Sequence, residues 1–155
     1  MPLWHVYHPP TTFTTAASKT ALAAAFTKLY TDIGLPPFYV NVYFHQIPAT
    51  DIYIGGQPQE STEPGVEPLA RPFVRFVGEQ IAVRMEDSDE VYAQWLDKVD
   101  VALKPHVQDK GYDWEYHIDE TERRLWKVAG LYAPPFGSEE EKMWFRVNKA
   151  VPWKE

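Results

Sequence analysis

Cysteine is absent from the 155 residues, which excludes disulfides and thiolate zinc sites and leaves the redox compartment unreadable. Long apolar runs are absent too: none approaches the ~18 residues of a membrane span, and no basic segment followed by an apolar one opens the chain. A soluble, cytoplasmic protein is expected. Basic residues are in deficit, 15 against 22 acidic for a net charge of -7, and that balance repels phosphate backbones, so nucleic acid is not an expected partner. There is no G-x-S-x-G elbow and no glycine-rich phosphate loop, so serine hydrolases and P-loop enzymes fall away. The histidines lack ligand spacing: His5 and His8 fall on opposite faces of a strand, and His45, His106 and His117 lie in separate elements. No metal site is expected.

What the chain has is rings and prolines. Aromatic residues make up 15% and prolines number 14, a combination that implies a filled core joined by stiff loops. Leu3 to Tyr7 reads as a strand stopped by Pro9-Pro10. A helix capped at Thr14 or Thr15 turns Leu22, Phe26, Leu29 and Ile33 inward and ends at Gly34. "FYVNVYFHQIP" is β-branched and aromatic, as a well-paired strand should be, and "DIYIGGQ" adds a short strand ending in a glycine pair. The order then repeats. "FVRFVGEQIAVRM" reads as a strand with a bulge at Gly78. Ser88 caps a helix that carries Val91, Trp95, Leu96, Val99 and Leu103 inward and meets Pro105, and "YDWEYHI" is the closing strand. "RRLWKVAGLYAPPFG" reads as a short strand and loop, and Ser138 with Glu141 fits a capping box for a C-terminal helix.

These readings give one domain over residues 1–155: a β-α-β unit at about 2–56, an acidic loop at about 57–72, a second β-α-β unit at about 73–118, and a C-terminal strand and helix at about 119–155. The expected fold class is α/β (α+β in some schemes), with both units in one mixed sheet and the helices on one face.

The chemistry-bearing candidate is Pro2. A small residue in second place allows the methionine to be removed, which leaves a free secondary amine. A backbone amine has a reference pKa near ~7.7 to 8, and desolvation or a nearby cation favours its neutral form, so it can serve as a general base. If Met1 stays, that nitrogen is a tertiary amide without basicity. Arg71, Arg75 and Arg84 cluster around the second unit's first strand, and an arginine grips a carboxylate with two parallel hydrogen bonds.

Together, "PLWHVYH", the doubled β-α-β order, "VNVYFHQIPATDIYIGGQ" and "WEYHIDE" resemble the tautomerase superfamily, and more narrowly its cis-3-chloroacrylic acid dehalogenase-like branch, from Pro2 to about Trp144. The resemblance implies a homotrimer that needs no cofactor and acts on a small 2-oxo or unsaturated carboxylate. It implies Pro2 as catalytic base or acid, Arg84 as carboxylate clamp and Tyr116 as a tyrosine that hydrogen-bonds substrate or water. Arg75 and Tyr30 complete the candidate substrate-binding set. Tyr30 or Leu29 stands where the dehalogenase has a histidine, Asp87 where it has a second arginine, and Lys127 or Val128 where it has a water-activating glutamate. Those departures favour keto–enol tautomerisation over haloacrylate hydration or dehalogenation. A non-catalytic trimeric binding protein is the alternative outside enzymes.

Overall fold

The computed structural model describes residues 1–81 and 83–153. Ala82, inside the expected second-unit strand, and Lys154 and Glu155, inside the expected C-terminal segment, lie outside the described residues.

Strand β1 (Pro2–His8) alternates strictly, with Pro2, Trp4, Val6 and His8 buried and Leu3, His5 and Tyr7 on the opposite face. That period of two follows from the pleat. Helix α1 (Ala16–Thr31) starts at Thr15, whose hydroxyl accepts from the Ser18 backbone N–H at 3.1 Å while Ser18 answers the Thr15 N–H. It buries Leu22, Phe26 and Tyr30, one per turn. Ile33, expected inward, lies past the helix end and is 42% exposed; the i+4 stripe runs through Tyr30 instead. Strand β2 (Asn41–Gln46) then pairs parallel to β1.

Around Gly55 and Gly56 the chain folds into a small hairpin of β3 (Tyr53–Ile54) and β4 (Gln57–Pro58), both glycines at positive φ. The second unit is β5 (Phe73–Ile81), α2 (Asp89–Leu103) and β6 (Asp113–Thr121), with β6 parallel to β5. Ser88 caps α2, and Pro105 sits in a separate 3-10 turn at Lys104–His106. The four long strands order as β2-β1-β5-β6, with β1 and β5 antiparallel at the centre. Two β-α-β units thus share one mixed sheet, as the sequence implied. α1 and α2 pack against each other on one face, and the other face bears Tyr43 and His117 exposed and His5, Tyr7, His45 and Arg75 half-buried.

Three more sequence readings need correction. Gly78 makes no bulge: it pairs regularly with Trp4 and Ile118. A Cβ there would stand 2.9 Å from the Trp4 ring, so the glycine makes room for the indole. Leu96, expected inward, is 39% exposed, because Trp95 takes the core position beside Val99 and Leu103. The strand expected in "RRLWKVAG" is a 3-10 turn at Arg123–Leu125 followed by one bridge, Val128 to Leu131.

Helix α3 (Glu139–Val147) and its flanks close the sheet end where β1 begins and β5 and β6 finish. Trp144 is fully buried, its indole N–H donating to the Val151 carbonyl at 2.8 Å, and the Asn148 side chain accepts from the Phe38 N–H at 2.8 Å. Phe38, Tyr39, Trp126 and Trp144 form one ring cluster. Among the described residues no helix is long and apolar enough to cross a membrane.

Candidate functional site

The pairing register brings Pro2, Gln80 and Glu120 into one row across β1, β5 and β6, on the helix-covered side. Pro2 is buried and, with Met1, lines an apolar cavity of about 130 Å³ walled by Tyr30, Ile33, Leu35, Met85 and Trp95. Met85 and Trp95 are shared with a wider, open cavity of about 610 Å³ between α2 and β6, lined by Tyr92, Leu96, Tyr116 and Glu120 among others. Gln80 is 5% exposed. The Glu120 carboxylate accepts from the Met85 backbone N–H at 2.8 Å and so fixes the chain leaving β5.

The Met1 amine donates to the Ile81 carbonyl at 2.5 Å. Burial first, then the Arg123 guanidinium, with the Glu141 carboxylate opposing, bring its pKa from 8.0 to about 5. The terminus therefore lies between the apolar cavity on one side and a polar cluster in the C-terminal cap on the other. In that cluster the Arg123 guanidinium is braced on the carbonyls of Ala133, at 2.8 Å, and Pro134. Glu141 is 3% exposed and accepts from the Gly137 N–H at 2.7 Å. Burial raises its pKa, against that hydrogen bond, Arg123 and the amine. Among the described residues the buried Tyr39 hydroxyl has no hydrogen-bond partner; burial and then Glu141 push its pKa up, with Arg123 opposing.

The sequence candidates divide by place. Pro2 and Tyr30 share the apolar cavity. The Tyr30 hydroxyl accepts from the Trp4 indole N–H at 3.1 Å, and burial pushes its pKa up to about 12 against hydrogen bonding to Trp4 and Gln80. Arg84 lies exposed on the loop after β5, where its charge acts on Tyr92 and Glu122. Tyr116 lines the wide cavity, its hydroxyl donating to Asp100 at 2.8 Å; burial, then Asp100, raises its pKa. Arg75 is not brought to Pro2. It sits on the helix-free face opposite Tyr7, paired with Glu115 and 2.8 Å from His117 Nδ1, five positions along β5 from Gln80. Arg71 pairs with Asp113 at 3.5 Å. Among the described residues no group of three His, Asp or Glu side chains is placed to hold a metal ion.

Sequence reasoning missed Tyr39, Arg123 and Glu141. Glu141 is the third acid of "SEEE", and its local pattern reads only as a capping box. The Ser138 hydroxyl does accept from the Glu141 N–H at 3.1 Å, but the carboxylate turns to Gly137 rather than completing the box.

Residues 1–149 match the protein family described as "Putative oxalocrotonate tautomerase enzyme". RhCC from Rhodococcus jostii RHA1 is 36% identical, over 97% of this chain and 99% of its own, with a TM-score of 0.84. A protein of the thermophilic fungus Aspergillus fumigatus is 40% identical over 99% and 98% of the two chains, with a TM-score of 0.83. The wild-type symmetric trimer of fused 4-OT, 23% identical over 88% and 99%, has the same fold at a TM-score of 0.59. Among curated proteins, none is similar in sequence to this chain.

Proposed function

Because the chain belongs to the family of oxalocrotonate tautomerase-like proteins, we propose that, in the form beginning at Pro2, it interconverts the keto and enol forms of a small 2-oxo carboxylate. The observation that carries this reading is the position of Pro2: buried at the head of β1, lining an apolar cavity, beside a terminal amine that burial keeps neutral. Removal of Met1 moves the free amine by three bonds, at most about 3.6 Å, so the Pro2 nitrogen inherits nearly the same surroundings. A neutral secondary amine there takes a proton from carbon and returns it, and the exchange needs no cofactor because only a proton moves.

The small cavity takes the apolar side chain of the substrate, with Tyr30 and Trp95 as its wall. Arg84 holds the carboxylate at the open mouth, and Tyr116 borders the same opening. The bare sheet face, with Tyr7 and Tyr43 on it, is where three copies of the chain would meet; fused 4-OT, which shares the fold, forms a symmetric trimer.

The test is the ultraviolet decay of enol-phenylpyruvate with protein whose intact mass proves the loss of Met1. Turnover that disappears in Pro2→Ala, and in protein retaining Met1, supports the reading. Equal rates for parent and Pro2→Ala would sink it, and would move the non-catalytic binding protein to the front.

A further inference from the structure

Keto–enol interconversion moves one proton from carbon to oxygen, so a base at carbon is half of the chemistry. Tyr116 donates its hydroxyl hydrogen bond to Asp100, and the Tyr30 hydroxyl accepts from the Trp4 indole N–H. On the far side of Met1, however, three polar groups converge without satisfying one another. The Tyr39 hydroxyl, on a side chain 1% exposed, has no partner among the described residues. Glu141, 3% exposed, spends one oxygen on the Gly137 N–H. Arg123 is held in place by two carbonyls. A buried hydroxyl without a partner is costly and uncommon, and points to an acceptor that completes it. Met1 lines the apolar cavity, and its amine lies in the field of Arg123 and Glu141, so its removal would open the cavity toward the cluster.

We propose that Glu141 is the acid that protonates the substrate's carbonyl oxygen, with Tyr39 and Arg123 donating to that oxygen as it becomes an enol. The assignment rests on the tautomerase reading above. In the step, the Pro2 nitrogen takes the proton from the carbon next to the carbonyl, and the C–H electron pair becomes the C=C bond. The carbonyl π pair goes to oxygen, which takes the Glu141 proton. After the enol leaves, the protonated amine returns a proton to the Glu141 carboxylate, and the protein is as it began. Burial, which raises the Glu141 pKa, keeps that proton available.

Two variants of the chain beginning at Pro2 test this. Glu141→Gln keeps an acceptor for Gly137 and loses the acid, so kcat should fall roughly 100-fold or more with KM nearly unchanged and the protein folded by circular dichroism. Tyr39→Phe removes only the costly unpartnered hydroxyl, so the melting temperature should hold or rise while kcat drops about tenfold, one hydrogen bond's worth. Salicylate, a stable carrier of hydroxyl and carboxylate, should bind the parent more tightly than benzoate, and both variants should abolish that preference.

A folded Glu141→Gln with the parent's kcat overturns the assignment; if Pro2→Ala is then inactive, the proline reading stands without it. Should parent and Pro2→Ala be equally inert, the tautomerase reading fails, and the salicylate preference decides the oxygen site alone: no preference in the parent, or one that survives both substitutions, overturns it.

Discussion

At Gly78 a single hydrogen atom where other residues carry a Cβ lets the Trp4 ring lie flat over β5, stacked on Phe26 at 4.3 Å. Gly78→Ala should therefore cost about 1–3 kcal/mol by overpacking, read as a shift in the urea midpoint; an unchanged midpoint would mean the indole moves aside freely. Glu141 makes the opposite case. Its folded pKa lies above its unfolded value of 4.5, so its contribution to stability is full below pH 4.5 and is lost as pH rises through the folded value. Glu141→Gln should thus melt higher than the parent at pH 7.5, with the gap closing below pH 4.5. A lower melting temperature at pH 7.5 would contradict the burial cost. The Met1 amine, lowered from 8.0 to about 5, runs the other way, with stability full above pH 8 and lost as pH falls toward 5, by roughly 4 kcal/mol at most. His8 and His106, also lowered by burial, add in the same direction. Denaturation of the Met1-retaining form between pH 8.5 and 5 should show this slope, and N-terminal acetylation should flatten it.

The decisive element is α3, nine residues that deliver Glu141 and Trp144 to the end of the sheet. Its start depends on Ser138, whose hydroxyl accepts from the Glu141 N–H. Ser138→Ala should cost about 1 kcal/mol of stability and lower the proposed tautomerase rate as well, because the first turn that frays is the one holding the carboxylate. Equal activity with lower stability would separate the cap from the site. The helix was legible from "SEEEKMWFRV", since cap, acidic first turn and apolar spacing agree. Its destination was not, because nothing local says that it closes the open end of β1. Nor did the run around Arg123 declare itself: it looks like a strand, yet finds no partner strand and is held instead by carbonyls at Ala133 and Pro134.

For the whole molecule, the four-stranded sheet with α1 and α2 on one side leaves a face of tyrosines, histidines and ion pairs on the other, bordered at one end by the segment 47–54. Tyr43 is 53% exposed there and contributes little to a single chain. Tyr43→Asp should leave the melting of a monomer almost unchanged, within about 0.5 kcal/mol. If three copies meet on this face, the same change should split the trimer, seen by light scattering coupled to gel filtration. A parent that elutes as a monomer would refute the trimer.

The sequence by itself determined the two β-α-β units and their order, because strand alternation, the helix stripes and the caps at Thr15, Ser88 and Ser138 are local signals that agree with one another. It also offered Pro2 as the candidate base, because a proline freed at the N-terminus is a secondary amine. Only the tertiary structure decided who stands beside it. Antiparallel pairing of β1 with β5 put Gln80 next to Pro2 and carried Arg75 to the opposite face. Closure by the C-terminal segment brought Tyr39, Arg123 and Glu141 around the terminus from positions far apart in the chain. Register and closure are set by packing between distant segments, and no spacing along the chain encodes them.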